Sequence, residues 1–456
     1  MSAGVDEARG PVRTSDSIAA IRLGGALAAL LGLLPLFLWL GLGLNGDVQY
    51  MFGGLAVAGR GFGGFVDTFI HRPLAYRFVM AAVSDVVGAF GIRTIDQVPF
   101  ENGARIVTVL ACIPLGLGLW RALRVHIGSA EAIAVAVATG LALVLAPSWD
   151  FLQAEWVGIY FAILAIVAAI LPARTLVAGT LSGLCIVIVV AVKMATAPFA
   201  LLALLLIAAI DRRRAIAAAA GGAAWGVVWL GSLVVMPVER HWLRDMATLN
   251  NNSPLRVGIN WSNFGSWWRA VGGRIAMLPV IALVPAATVL VCRLMSSWRT
   301  RALIACGTVL AVVLAIAPLP AQGEGYTPHL AGLPVLSAGL VAFALVRWWR
   351  TSARPPVVPL AALLMLTAVG ALVLTRSRAW RETNDLLVVN GLVVAAALLA
   401  LWAFAARRGK ATPGRATTTA GAVLAAASVL APVPALMPAS AFSLDPATSP
   451  YTNASC

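Results

Sequence analysis

Residues 23–54 read LGGALAALLGLLPLFLWLGLGLNGDVQYMFGG. Nothing between Leu23 and Gly46 carries a charge, and the run then meets a carboxylate at Asp47. About 20 apolar residues of helix cross the hydrocarbon core of a bilayer, so this stretch is long enough to span. It reads as an anchor and not as a cleaved signal, because it is long and the small residues after it lead into a loop without a cleavage context.

The pattern repeats down the chain. Apolar stretches bounded by charge place candidate spans near 21–44, 102–120, 127–147, 151–171, 175–192, 196–210, 215–236, 275–292, 302–318, 330–346, 357–375, 386–405 and 417–436. Only 11% of the 456 residues are charged and 61% are hydrophobic, whereas soluble domains average about 25% charged. An ordinary soluble protein is excluded, and the absence of a Gly or Pro period excludes a collagen-like chain. The expectation is an all-α polytopic membrane protein with about 13 transmembrane helices, between 11 and 13. Residues 1–20 form a cytoplasmic tail, 21–436 the transmembrane domain, and 437–456 a flexible outer tail.

The net charge of +15 would suggest nucleic acid in a soluble chain, but in a membrane chain it reports topology. With the N-terminus inside, the cytoplasmic segments hold 19 basic residues against five acidic ones, leaving 14 basic and 13 acidic at the outer side. That asymmetry places the N-terminus in the cytoplasm and the C-terminus outside, in the plasma (inner) membrane, with no nucleic-acid partner. The cytoplasmic loops are short and arginine-rich, so chemistry is expected on the outer face, where segments 45–101 and 237–274 are long. No Walker loop, no GxGxxG in a strand and helix setting and no HExxH occurs. The five cysteines lack CxxC spacing and four of them sit in apolar runs. No metal and no cofactor is expected.

In the first outer segment, Asp47 stands at the membrane surface, where a carboxylate is costly unless paired or functional. Either it caps the following helix, or it is a functional group. Residues 48–58 and 74–90 have the spacing of interfacial helices, joined by a glycine-rich stretch and by His71 and Arg72. Arg72 and Arg77 can clamp a phosphate or anchor at headgroups. At 147–156, PSWDFLQAEW brings Asp150 and Glu155 to the same level. Asp150 could cap a helix and Glu155 could snorkel, or Glu155 could pair with Lys193 at the end of a neighbouring span. Arg240 and His241, in the polar and aromatic segment 237–270, are candidate phosphate ligands, with loop solvation as the alternative. QGEGYTPHLAGLP at 322–334 sets Glu324, Tyr326 and His329 in a shaped turn. Arg376, Arg378 and Arg381 run against the positive-inside trend, for which an anionic phosphate at the outer surface is a physical cause.

With these residues laid out, the chain resembles the GT-C superfamily of integral-membrane glycosyltransferases, which use a polyprenyl-phosphate-linked sugar as donor. NGDVQY, with Asp47, matches the acidic residue that follows the first span in that family. Residues 48–90 match its interfacial helices, and QGEGYTPHLAGLP resembles its glycine, aromatic and histidine turn. Among its branches the chain looks most like actinobacterial mannosyl- or arabinosyltransferases of cell-envelope glycolipids and polysaccharides. It departs in having Asp47 and Tyr50 in place of DxxVY, and Glu324 where related chains often carry a basic residue.

The resemblance implies a GT-C-like fold and an enzyme that moves mannose or arabinofuranose from a polyprenyl-phosphate-linked sugar donor to a glycolipid or polysaccharide acceptor, among membrane lipids. Asp47 would be the catalytic base. Lys193, Arg240, His241, His329 and Arg378 would meet the donor phosphate. Tyr50, His71, Arg72, Asp150, Glu155, Glu324 and Tyr326 would face acceptor and sugar. Two other classes fit parts of the pattern: a lipid-linked glycan ligase, polymerase or acyltransferase, for which 237–274 resembles a long outer loop, and a lipid or solute transporter, which would use Glu155 and Lys193 equally well.

Overall fold

The computed structural model describes residues 44–57, 72–93, 97–147, 149–252, 264–323, 326–352, 357–374 and 376–406. The two tails, the expected span at 417–436 and all but the last residue of that at 21–44 lie outside the described residues. Every regular element among the described residues is helical. Segment 45–101 begins with α1 (Gly46–Val57) and α2 (Leu74–Ala89). Then follow α3 (Gln97–Ile127), α4 (Ser129–Val144), α5 (Ala154–Ile170), α6 (Thr175–Val192), α7 (Ala197–Ile210) and α8 (Arg212–Val235). Next come α9 (Pro237–Asn252) and α10 (Phe264–Met277). The remainder is α11 (Val284–Leu294), α12 (Trp298–Ile316), the short α13 (Pro318–Gln322), α14 (Gly332–Ser352), α15 (Val357–Leu374) and α16 (Arg378–Ala405).

The expected spans between 102 and 405 fall on helices, except that 275–292 is divided between α10, the turn 279–283 and α11, and among the described residues six helices are both long and apolar enough to cross a membrane. A seventh appears if α10 and residues 279–294, bent by 100°, count as one broken span. The apolar helices at Ser129–Val144, Ala154–Ile170, Met194–Ile210 and Ala361–Gly370 are shorter. Length and composition therefore support a polytopic all-α membrane protein without reaching the expected count of about 13. Helix α1 has 12 residues and α2 has 16. At 1.5 Å per residue these measure about 18 and 24 Å, short of the roughly 30 Å hydrocarbon core. Helix α2 buries Tyr76, Arg77, Met80 and Val87 while Phe78 and Val86 are exposed.

Between lipid-embedded helices, association depends on close packing, because the tails outside are as apolar as the side chains inside. The α6–α8 seam is built on that rule. A Cβ on Gly179 would stand 2.7 Å from the carbonyl oxygen of Ala217, and one on Gly183 would enter the backbone of Gly221 and Gly222. The two helices meet backbone to backbone, with no room for a methyl group between them.

At the end of the bundle away from Asp47, arginines fix helix ends. Glu131, fully buried on α4, accepts from Arg347 at 3.1 Å and Arg350 at 2.5 Å on α14. Arg214 donates to the carbonyls of Ala169 and Pro172, both at 2.7 Å, where α5 ends. Arg293 donates to Ala403 at 2.8 Å and Phe404 at 2.5 Å at the close of α16. Cations there satisfy the last carbonyls and meet the negative end of the helix dipole. Arg214 and Arg293, two of the basic residues counted on that side from sequence, thus also close helix ends.

Replacing Gly183 with Ala is expected to lower the thermal midpoint of the detergent-solubilised protein, in line with an overpacking cost of about 1–3 kcal/mol. Gly226→Ala on the same α8, where a Cβ would meet nothing within 4 Å, should leave it unchanged. Equal midpoints for the two variants would remove the seam from the account of stability.

Candidate functional site

The turn that carries Asp47 is held from several sides. Asn45 caps α1: its Oδ1 accepts the Asp47 N–H at 2.8 Å, and its carbonyl accepts the N–H groups of Val48 and Gln49, both at 2.9 Å. Its Nδ2 donates to the carbonyl of Trp149 at 3.1 Å. From α3, Glu101 accepts the N–H of Leu44 at 2.7 Å and the Gln49 side-chain amide at 2.8 Å. The capping role left open for Asp47 therefore belongs to Asn45. The Asp47 carboxylate turns to Arg72, 3.1 Å away, and keeps 39% of its side chain exposed. A fixed backbone with a reachable carboxylate is the arrangement a reacting group requires.

Next to this pair lies the connection between α4 and α5. Leu152 adopts a left-handed backbone, φ 62°, which costs an L-residue roughly 1–2 kcal/mol. Its carbonyl accepts a hydrogen bond from the Tyr76 hydroxyl at 2.8 Å. Burial pushes that hydroxyl well above the usual tyrosine range; Arg72 opposes the shift, while Asp47 and Glu155 add to it. Tyr76 therefore remains a donor, and it stands within electrostatic reach of Asp47, Arg72 and Glu155 together.

Beyond Leu152 the charges are buried and paired. Asp150, 2% exposed, forms an ion pair with Arg274 of α10, whose other terminal nitrogen donates to the carbonyl of Thr327. Glu155, in the first turn of α5 and 1% exposed, accepts from Lys193 at 2.6 Å and meets His329 Nδ1 at 2.5 Å. Lys193 sits in an extended break between α6 and the turn Met194–Thr196, held where the Thr196 hydroxyl donates to its carbonyl at 2.6 Å. His329 lies on the turn Thr327–Leu330, with the Tyr326 ring 6.3 Å away, edge on. Asp150 feels both Glu155 and His329. Taking such charges out of water costs several kcal/mol each unless partners replace the solvent. Neither the cap reading of Asp150 nor the snorkelling reading of Glu155 matches this placement.

Of the residues singled out from sequence, Asp47, Arg72, Asp150, Glu155, Lys193, Tyr326 and His329 gather at one end of the bundle. Arg240 and His241 lie on the exposed face of α9, and Tyr50 is 64% exposed. His71 and Glu324 lie outside the described residues; Arg378 opens α16, and its side chain is outside them too. Of its arginine neighbours, Arg381 is buried and Arg376 sits 5.9 Å over the Trp380 ring. Among the described residues, no three His, Cys, Asp or Glu side chains group as a metal site would require.

Four participants were not singled out: Tyr76, Glu101, Glu239 and Arg274. Arg274 had a legible signal, being a lone arginine at the mouth of an apolar run on the outer side. Tyr76 and Glu101 had none, because their roles depend on which backbone groups the fold sets beside them.

The sequence matches no protein-family model and no curated protein sequence. Among solved structures the chain is similar to that of ArnT from Cupriavidus metallidurans in the apo state, over 90% of this chain and 76% of that one, with 16% identity and a TM-score of 0.47.

Asp150→Ala would strand Arg274 as a buried uncompensated charge, and a loss of about 3–5 kcal/mol is expected. Adding Arg274→Met should recover part of it in detergent unfolding curves; a parental midpoint for Asp150→Ala would refute the buried pair. Tyr76→Phe leaves the Leu152 carbonyl without its donor and should cost about 1–3 kcal/mol by the same measurement.

Proposed function

We propose that this chain is a membrane glycosyltransferase that moves a sugar from a polyprenyl-phosphate donor to an acceptor hydroxyl at the outer face of the plasma membrane, with Asp47 as general base. The observation that carries the reading is the placement at one end of the bundle of a partly exposed carboxylate, Asp47 with Arg72 at 3.1 Å, and of a lysine and a histidine, Lys193 and His329, gathered on buried Glu155. Transfer from a lipid phosphate needs those two functions side by side: a group to take the acceptor proton and positive charge for the departing phosphate.

In the reaction, the acceptor oxygen bonds to the anomeric carbon as its proton passes to Asp47. The bond from that carbon to the phosphate oxygen breaks, and the electron pair leaves with the polyprenyl phosphate. A phosphate is already a fair leaving group, so it requires charge stabilisation and no strong acid. The Lys193 ammonium has three donors, of which Glu155 engages one. Its side chain is 18% exposed, and it faces the same polar end as Asp47. Arg72 holds the Asp47 carboxylate in place. A single displacement of this kind inverts the anomeric centre. The acceptor is a cell-envelope glycolipid or polysaccharide, and mannose or arabinofuranose is the sugar that the resemblance favours.

The test supplies purified protein with radiolabelled decaprenyl-phosphoryl mannose or arabinose and a membrane acceptor. Asp47→Asn should lower the transfer rate by about 100-fold or more, the usual contribution of general base catalysis. Transfer at the parental rate in that variant would exclude Asp47 as the base, and no transfer from either donor by the parent would remove the donor assignment.

A further inference from the structure

Besides Arg274, the second outer segment reaches the Asp47 end through a second buried side chain, Glu239. Helix α2 begins at Leu74 behind Pro73, which makes no side-chain cap. Its first N–H groups are without helical partners, as at any helix start. Glu239, in the first turn of α9, supplies what is missing: its Oε1 accepts the Leu74 N–H at 2.8 Å across 165 residues of sequence. Glu239 is 2% exposed. Burial raises its carboxyl above the usual range, and the Leu74 N–H and Arg77 oppose the shift.

Arg77, one turn into α2 and 1% exposed, completes the connection. Its Nε donates to the carbonyl of Arg72 at 2.8 Å while its charge faces Glu239. The corner formed by Arg72, Pro73 and Leu74 is thus gripped at both ends, at the Leu74 N–H by Glu239 and at the Arg72 carbonyl by Arg77. From that corner the Arg72 guanidinium reaches Asp47.

We propose that Glu239 is a positioning residue for the transfer reaction: it fixes the Arg72 corner from the second outer segment, and so sets the guanidinium that aims the Asp47 carboxylate. The inference rests on the reading of Asp47 as the base. Glu239 touches neither donor nor acceptor, so its loss should act on turnover and not on substrate binding. A misplacement of about 1 Å at a reacting group can cost about 100-fold in rate.

In the full-length protein, Glu239→Ala is expected to lower kcat about 10- to 100-fold, with the KM for the lipid donor unchanged. Glu239→Gln, which retains an acceptor for the Leu74 N–H, should restore most of the turnover. A parental kcat in Glu239→Ala overturns the proposal, as does a raised donor KM with kcat intact. A second readout needs no sugar transfer. Amide hydrogen exchange of peptides covering 74–80 and 46–52 should quicken in Glu239→Ala and stay near parental in Glu239→Gln; unchanged exchange in the alanine variant overturns the coupling. If the parent transfers no sugar, the functional reading fails, while the exchange experiment still decides whether Glu239 holds the Asp47 end.

Discussion

Glu155 has 1% of its side chain exposed, and the membrane-embedded bundle can hold a carboxylate there only by surrounding it with polar partners. Lys193 comes from the break after α6, and His329 from the turn before α14. Satisfying this one charge therefore ties α5 to two segments that are distant in sequence. Arg274 and Asp150 repeat the arrangement one step away and bring in α10. Isolated charges would favour an open, hydrated end to the bundle, whereas pairing lets the same residues close it. The Asp47–Arg72 pair is different because it is only partly buried. It sits at the partly exposed edge of the closed polar cluster.

Most of the helical layout was legible in sequence, since long apolar runs broken by arginine or proline leave little choice. The short helices of 48–58 and 74–90 were legible too, because those segments have helical spacing, and helices of 12 and 16 residues form there. The number of crossings was not. A run such as 275–292 looks like one span, yet Pro279 follows a sharp bend after Met277, and apolar composition alone does not distinguish a broken helix from a straight one.

The candidate site was legible to the extent that it depends on rare charges. With few carboxylates in the chain, Asp47, Asp150 and Glu155 stood out, and Lys193 was the natural partner for Glu155. What the sequence could not supply was which functional reading each residue takes. Asn45 rather than Asp47 caps α1, because the asparagine side chain closes on the Asp47 amide and frees the carboxylate. Arg240 and His241 have the chemistry of phosphate ligands, but α9 turns Glu239 inward and leaves them exposed. Hydrogen bonds to backbone groups, such as Tyr76 to Leu152 and Glu239 to Leu74, depend on tertiary placement and leave no local pattern.

The α6–α8 glycine seam also bears on the order in which the chain assembles during synthesis. The two helices are separated only by α7 and its short connections, so their backbones can dock soon after α8 emerges. The Glu155 cluster cannot close then. Lys193 is already present within that early unit, but His329 lies 174 residues beyond Glu155 and arrives only after α12 and α13. The nascent protein thus carries Glu155 with only one of its two side-chain partners, Lys193, through much of its synthesis.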